Sequence, residues 1–169
     1  MKIIISPAKK MNIREDELEW ANLPCFLSRA EELKRYIQGL DLDQARKLWQ
    51  CNEKIALLNY GRFKEMDLER RLTPALLSYE GIQYQYMAPG VFEQGQWDYV
   101  QEHLRILSGF YGILKPLDGI VPYRLEMQAK VELPSGIKSL YDYWGSSICR
   151  ELAADETLIV NLPSKEYSR

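Results

Sequence analysis

Histidine is almost absent from the sequence, since His103 is the only one among 169 residues. A metal centre built on two or more histidines is therefore excluded. A Ser-His-Asp triad would have to use His103, which lies in a segment with helical spacing and is expected at a solvated edge. Cysteine is also scarce, because Cys25, Cys51 and Cys149 form no C-x-x-C pair and offer no obvious zinc site. We therefore expect no metal and no cofactor.

Long apolar runs and disulfide patterns are missing as well. No stretch approaches the roughly 20 apolar residues of a membrane helix, and the N-terminus lacks the features of a signal peptide. Three cysteines, an odd number, favour reduced thiols in a cytoplasmic protein, with a redox-sensing thiol as the alternative. The sequence predicts a cytoplasmic location and no membrane partner.

An excess of positive charge is the third absence. Lysine and arginine number 22 against 24 acidic residues, for a net charge of −2. Binding to nucleic acid would therefore need a local basic patch, or basic residues outside this chain. Hydrophobic residues make up 46% of the sequence, with 11 tyrosines and 4 tryptophans, enough for a sizeable core and for half-buried cleft walls.

The apolar pattern predicts helices interleaved with strands, which is an α/β (mixed α+β) fold class. Two buried strands are expected near opposite ends of the chain, at residues 2–6 and 157–162, because their β-branched runs are too short for helices. Weaker alternation predicts further strands. We expect helices over residues 28–39, 41–61, 97–109 and 139–152, and a short helix after Thr73-Pro74. The weaker strands are expected over residues 82–86 and 125–133.

Ser6 and Lys9 follow the first strand with the Ser-x-x-Lys spacing of some acyl-transfer enzymes. Three interpretations are open. Ser6 caps a helix that starts at Pro7, or the turn binds an anion or phosphate, or the serine is a nucleophile with the lysine as its base. The favoured interpretation makes this segment the polar end of a core strand and one wall of a ligand cleft.

The second terminal strand carries its own polar end. Asn161, Ser164, Lys165 and Tyr167 lie in or directly after it. If the two strands are neighbours, their ends meet at the edge where clefts open in α/β sheets. The sequence therefore predicts a shared cleft at this edge, suited to a small anionic ligand or to phosphate.

A loop at residues 117–127, fixed by Pro122, places three further candidates close together. Arg124 offers a planar fork for phosphate, and Tyr123 can stack on a base. Glu126 follows two residues later. The alternative is that Arg124 and Glu126 form an internal ion pair beneath a rigid loop.

A glycine-bounded stretch, LSGFYGIL at residues 107–114, is similar to a helix-hairpin-helix turn, in which backbone N–H groups bind DNA phosphate. Gly109, Tyr111 and Gly112 would form the hairpin. The competing interpretation is that Gly109 simply ends a helix.

Together these stretches resemble the YaaA family of bacterial peroxide-stress proteins. The motifs that carry the resemblance are residues 5–9 (ISPAK), 105–112 (RILSGFYG), 116–118 (PLD), 122–127 (PYRLEM), 140–145 (LYDYWG) and 161–167 (NLPSKEY). Their order and spacing match across the whole chain. The sequence departs from the family pattern at Pro163, where members usually have alanine.

The resemblance implies a central mixed sheet with flanking helices and a protein that limits oxidative DNA damage under hydrogen peroxide. It also implies an effect on unincorporated iron, a helix-hairpin-helix element and a basic cleft that binds DNA. No established reaction comes with the family; an enzyme acting on a nucleotide, damaged base or small phosphorylated metabolite is the alternative. Members continue beyond the last motif, so residues 1–169 are expected to form a single domain truncated relative to the family.

Overall fold

The computed structural model describes residues 1–14, 18–154 and 158–168. The strands in these ranges are β1 (Lys2–Ile5), β2 (Lys10–Met11), β3 (Thr73–Pro74), β4 (Tyr79–Glu80), β5 (Leu104–Ser108), β6 (Gly112–Leu114), β7 (Gly119–Ile120) and β8 (Ile159–Asn161). The α-helices are α1 (Leu27–Gln38), α2 (Leu42–Trp49), α3 (Glu53–Lys64), α4 (Ala75–Ser78), α5 (Ile82–Met87), α6 (Gln94–His103), α7 (Leu140–Trp144) and α8 (Ser147–Ala153). The predicted α/β class is confirmed.

A four-stranded mixed sheet lies at the centre, in the order β6-β5-β1-β8. Strand β1 pairs in parallel with both β5 and β8, so that Ile3 lies opposite Leu104 on one side and Val160 on the other. Strand β6 pairs antiparallel to β5. Because β1 and β8 are parallel neighbours, their carboxyl ends lie at the same edge of the sheet, as the sequence predicts.

Strand β8 is less buried than its composition predicts. The side chains of Leu158, Ile159 and Leu162 are 57%, 39% and 60% exposed. The described residues pair β8 on one side only, with β1. The prediction of a strand is correct for Ile159–Asn161, whereas the prediction that it is buried is wrong. Thr157, the first residue of the predicted strand, lies outside the described residues.

The helix predicted over 41–61 is two helices. Asp41, where the helix was predicted to begin, caps α2 through a reciprocal capping box with Gln44. Gln50 then adopts a left-handed backbone conformation with φ 46°, which ends α2, and the side chain of Asn52 caps α3. Gly61 lies within α3 and does not end it.

The first and last predicted helices are each partly correct. Helix α1 ends at Gly39 as predicted, but it begins at Leu27, one residue before the predicted start at Ser28, and no side chain caps it. Ser139 caps α7 through the backbone N–H of Asp142. Gly145, at φ 50°, ends α7 and separates it from α8.

Two further predictions are wrong because tertiary contacts outweigh local pattern. Ile82 and Tyr86 alternate with glutamines like a strand, yet they lie four residues apart on the exposed face of α5, while Tyr84 is buried. The helical pattern that runs on after His103 becomes strand β5, because this segment pairs with both β1 and β6. No strand forms over residues 125–133.

Most of the buried side chains belong to one hydrophobic cluster, whose largest fully buried members include Trp144, Tyr111, Phe63 and Phe110. Within the described ranges, no helix is long and apolar enough to cross a membrane.

Candidate functional site

Three segments that are distant in sequence line one cavity at the carboxyl edge of β1. The cavity has a volume of about 240 Å³. It is lined by Ser6, Pro7, Ala8, Lys9, Tyr123, Arg124, Leu125, Glu126, Ser164, Glu166 and Tyr167. We call it the strand-end cleft. The structure thus brings together seven of the nine residues that were predicted for the cleft from the strand ends and the loop at residues 117–127. They are Ser6, Lys9, Tyr123, Arg124, Glu126, Ser164 and Tyr167.

Ser6 joins the two strand ends. Its hydroxyl oxygen accepts a hydrogen bond of 2.9 Å from the backbone N–H of Ser164, and the two hydroxyl oxygens lie 3.4 Å apart. The carbonyl of Ser6 accepts a hydrogen bond of 2.8 Å from the hydroxyl of Tyr84. Residues 6–8 form no helix, so Ser6 is not a helix cap. Its role is to connect the loop after β1 to the segment after β8.

Lys9 and Arg124 both contact a single carboxylate oxygen. The Oε1 atom of Glu126 lies 3.1 Å from Lys9 Nζ and 3.3 Å from Arg124 Nη2. The ammonium of Lys9 is therefore engaged with Glu126, while the hydroxyl of Ser6 is engaged with Ser164. This arrangement contradicts the serine nucleophile with a lysine base and confirms the ion pair between Arg124 and Glu126.

Arg124 is the most buried charge of the strand-end cleft. Its side chain is 11% exposed, against 18% for Glu126 and 65% for Lys9. Its Nε atom is buried and has no hydrogen-bond partner. A buried guanidinium with an unused donor is costly, because that donor has lost water without gaining an acceptor. Arg124 is thus able to bind a further acceptor group.

Glu166 adds a second carboxylate to the same wall and was not among the residues predicted for the cleft. Burial raises the pKa of its carboxyl, and the nearby charge of Glu126 raises it further. The backbone N–H of Gln128 donates a hydrogen bond of 3.3 Å to its Oε1 atom. The cleft lining therefore holds two cations, Lys9 and Arg124, and two carboxylates. The expectation of an excess of basic groups is wrong for the residues that line this cleft.

Tyr123 is not available to stack on a ligand. It is 4% exposed, and its hydroxyl bonds to Tyr79 at 2.7 Å and to Ser108 at 2.6 Å. Burial raises the pKa of this phenol to about 12. The side chain is a buried support of the cleft wall. Tyr167, which is only half-buried, is the aromatic group that remains for contact with a ligand.

Two predicted residues lie away from the strand-end cleft. Lys165 is exposed and does not line it. Asn161 is also exposed and lines a separate, larger and mostly apolar cavity of about 840 Å³ beside α8, together with Ile4 and Trp144. Residues 165–167 form a turn after β8, and Tyr167 lines both cavities.

The segment predicted to be a helix-hairpin-helix turn is a β-hairpin. Gly109, Phe110 and Tyr111 connect the antiparallel strands β5 and β6, and Phe110 and Tyr111 are completely buried. The N–H groups of Phe110 and Tyr111 donate to the hydroxyl of Ser108. Gly112 packs so tightly that a Cβ there would lie 2.8 Å from Trp144. This turn therefore offers no backbone N–H groups to DNA in the way that was predicted.

Neither a metal centre nor a reactive thiol is evident in the described part of the chain. No three His, Cys, Asp or Glu side chains gather there to hold an ion. The three cysteines are free. Burial raises the pKa of the Cys25 thiol to about 11, which lowers the fraction of reactive thiolate at neutral pH.

Comparison with known proteins identifies the family of this chain. The sequence model described as "Peroxide stress protein YaaA" matches residues 1–169. The chain belongs to the YaaA peroxide stress protein family. All three segments that line the strand-end cleft lie within the matched residues.

Curated relatives agree with the YaaA assignment. A UPF0246 protein of Desulfitobacterium hafniense is 57% identical over 169 residues, covering 100% of this chain and 67% of the relative. UPF0246 proteins of Agathobacter rectalis and Lachnoclostridium phytofermentans are 52% and 53% identical, again over 100% of the chain and over 68% and 66% of their own lengths. The chain thus spans about two thirds of the length of these relatives.

Proposed function

We propose that this YaaA-family protein acts in the bacterial response to hydrogen peroxide by binding the phosphate of a nucleotide unit in the strand-end cleft. One observation carries the proposal. Lys9 and Arg124 come from segments more than a hundred residues apart in the chain, yet both approach one oxygen position, now held by Glu126 Oε1. A phosphate oxygen at that position would receive the same two charge-assisted hydrogen bonds.

The size and charge of the cleft favour one nucleotide unit over a long run of phosphates. Its volume of about 240 Å³ lies just below the range of roughly 300–1,000 Å³ of pockets that enclose drug-sized ligands. Its two cations are balanced by Glu126 and Glu166. Binding of an extended duplex would need a row of unpaired cations. Tyr167 supplies an aromatic face beside the two cations.

The nucleotide unit can come from two sources, DNA or a free nucleotide. With DNA as the source, the protein would limit oxidative damage by holding exposed or damaged strands, in line with the expectation from the family resemblance. The iron-related part of that expectation remains a prediction. Calorimetric titration with ferrous iron under anaerobic conditions tests it, because direct iron binding would produce heat and saturation.

A second candidate function is an enzyme acting on a nucleotide, damaged base or small phosphorylated metabolite in this cleft. The supporting observation is the pair of carboxylates Glu126 and Glu166 in one cleft, where burial and the charge of Glu126 raise the pKa of the Glu166 carboxyl. Incubation with oligonucleotides that carry oxidised bases, followed by chromatography for released base or phosphate, tests this candidate. A Glu166→Gln variant should lose any such turnover.

The experiment for the leading proposal is a binding titration against salt. Fluorescence anisotropy with single-stranded and duplex oligonucleotides, and competition by thymidine 5′-monophosphate, would separate the two sources of phosphate. Lys9→Ala and Arg124→Lys should each weaken binding by about ten-fold, because the first removes a cation and the second removes the planar donor fork. Lys9→Ala should also make the log-log salt slope shallower by about one, whereas Arg124→Lys, which keeps its charge, should leave the slope unchanged. Lys130→Ala is the matched control, because Lys130 is exposed and does not line the cleft.

The outcomes are distinct. Weakening in both cleft variants, with wild-type affinity for Lys130→Ala, supports the proposal. Competition by the free nucleotide at low concentration favours a nucleotide as the ligand, whereas preference for oligonucleotides favours DNA. Wild-type affinity and salt slope in both Lys9→Ala and Arg124→Lys, with folding confirmed by thermal denaturation, would remove the cleft from the binding surface.

A further inference from the structure

We infer that the Glu126 carboxylate is a built-in competitor for the ligand's phosphate. This inference rests on the proposed function. Glu126 Oε1 occupies the position between Lys9 Nζ and Arg124 Nη2, at 3.1 Å and 3.3 Å. Two cations that meet on one internal carboxylate oxygen are already arranged for an oxyanion. A phosphate oxygen can reach them only if the carboxylate gives up this position.

The donors around this position exceed what one carboxylate oxygen can accept. Arg124 has a buried Nε–H group without a partner, although its side chain is only 11% exposed. A phosphate offers several oxygens in a tetrahedral arrangement and can accept from both edges of a guanidinium and from an ammonium at once. The unused donor therefore points to a ligand with more acceptor oxygens than Glu126 supplies to Arg124.

A second cavity gives the displaced carboxylate a place to go. This smaller pocket, of about 100 Å³, shares Lys9, Arg124 and Glu126 with the strand-end cleft. Its remaining lining residues are Leu48, Trp49, Gln50, Gln128 and Ala129. The ion triad of Lys9, Glu126 and Arg124 thus forms the wall between two cavities, and Glu126 borders both.

Trp49 makes the smaller pocket a suitable destination. Its ring is 3% exposed, and its Nε1–H group is buried without a hydrogen-bond partner. A buried indole N–H usually has an acceptor. A carboxylate that turns away from the cleft would enter the pocket that Trp49 lines, close to the residue that carries this unpartnered donor. Glu126 therefore has two positions, one that blocks the phosphate site and one that opens it.

This arrangement makes the affinity for phosphate depend on the charge of residue 126. The ligand must outcompete an anion that is always present at high effective concentration, so the site rejects weak anions and accepts those that offer more contacts. The neutral side chain of the variant Glu126→Gln would compete less, because an amide oxygen forms weaker hydrogen bonds with cations than a carboxylate does.

The test measures binding of thymidine 5′-monophosphate and of thymidine to the wild type and to Glu126→Gln. We expect Glu126→Gln to bind the monophosphate on the order of ten-fold more tightly, with no change for thymidine. For oligonucleotide binding, the log-log salt slope of Glu126→Gln should be steeper than that of the wild type by about one. Glu132→Gln is the matched control, since this exposed glutamate does not line either cavity.

A second pair of variants tests the proposed destination. Trp49→Phe keeps an apolar ring stacked on Phe63 but removes the indole N–H. It should weaken monophosphate binding in the wild-type background, because the displaced carboxylate loses its hydrogen-bond donor in the smaller pocket. In the Glu126→Gln background the same change should have little effect. Equal weakening in both backgrounds would show that Trp49 acts through folding alone and would reject the smaller pocket as the destination.

Failure of this inference can be told apart from failure of the proposed function. If Lys9→Ala weakens monophosphate binding and Glu126→Gln either does not change the affinity or lowers it, the cleft binds phosphate and Glu126 is not a competitor. If no variant binds the monophosphate or an oligonucleotide, the proposed function falls and the inference falls with it.

Discussion

The hydroxyl of Ser6 accepts a hydrogen bond of 2.9 Å from the backbone N–H of Ser164, across 158 positions of the chain. This bond ties the loop after β1 to the segment after β8 and holds one corner of the strand-end cleft. The two strands are parallel neighbours, so their ends are already close. The hydrogen bond additionally fixes the position of the polar segments that follow the strands.

The variant Ser6→Ala removes the hydrogen bond between Ser6 and Ser164. We expect the free energy of unfolding to fall by about 1 kcal/mol, since the lost bond is at an exposed position where water can replace it. Urea denaturation followed by circular dichroism measures the change. Ser135→Ala, at an exposed loop position, should show no loss. A loss for Ser6→Ala no larger than for Ser135→Ala would contradict the role assigned to Ser6.

Tyr123→Phe should destabilise the protein because it removes a buried hydroxyl group while keeping the aromatic ring. The variant leaves the hydroxyls of Tyr79 and Ser108 without the partner that lies 2.7 Å and 2.6 Å away. Because these groups are buried, the expected loss is about 2 kcal/mol. Tyr86→Phe, at a side chain that is 88% exposed, is the control and should be neutral. Thermal and urea denaturation of both variants gives the comparison.

Gly109→Ala and Gly61→Ala should have opposite effects. A Cβ at Gly109 would lie 2.5 Å from the carbonyl oxygen of Leu125 and 2.9 Å from the carbonyl carbon of Glu126. We expect a loss of about 3 kcal/mol or more and a displaced Glu126. Gly61 lies inside α3 with no atom within 4 Å of such a Cβ, so alanine there should stabilise by about 0.5–1 kcal/mol. Unfolding midpoints that move in the same direction for both variants would contradict the close approach at Gly109.

Asp118 should make stability depend on pH in mildly acidic solution. Burial raises the pKa of its carboxyl to about 6. The folded protein therefore holds this proton more tightly than the unfolded chain, whose aspartates titrate near pH 4. The stabilisation is fully present below about pH 4 and is lost as the pH rises to about 6, for a total on the order of 3 kcal/mol.

The variant Asp118→Asn separates this contribution from others. Its amide oxygen can still accept the N–H of Lys115, which bonds to Asp118 at 2.8 Å. Relative to the wild type, the variant should gain stability as the pH rises from about 4 to 6, measured as urea midpoints across that range. Glu132→Gln, at an exposed site, should leave the wild-type profile unchanged. Parallel profiles for Asp118→Asn and the wild type would refute the assignment.

Some signals that depend only on neighbouring residues agree with the structure, although the predicted helix start at Ser28 and the continuous helix over 41–61 do not. Asp41 forms its capping box with Gln44, and Ser139 caps α7, because these bonds close within three residues. The β-branched run of β1 also predicts its strand. Such interactions do not depend on the rest of the fold, so sequence pattern is sufficient to find them.

Signals that tertiary contacts override were misread. The helix pattern around Leu104 gives way to a strand because two other strands accept its backbone hydrogen bonds. The alternation at Ile82 and Tyr86 fits one face of a helix once Tyr84 is directed inward to Ser6. Tyr123 was predicted to stack on a ligand, but its side chain is buried and its hydroxyl forms a hydrogen bond with Ser108 in the core. Only the packing of distant segments decides between such alternatives.

The sequence by itself determined the α/β class, the family resemblance and which polar segments follow the two terminal strands, because composition, local capping and motif order are properties of the chain. The tertiary structure alone decided that Lys9 and Arg124 meet on Glu126, that Glu166 joins them and that Lys165 and Asn161 do not. The reason is physical: the direction of a side chain and the sharing of one carboxylate by two cations arise only when segments far apart in sequence are packed against each other.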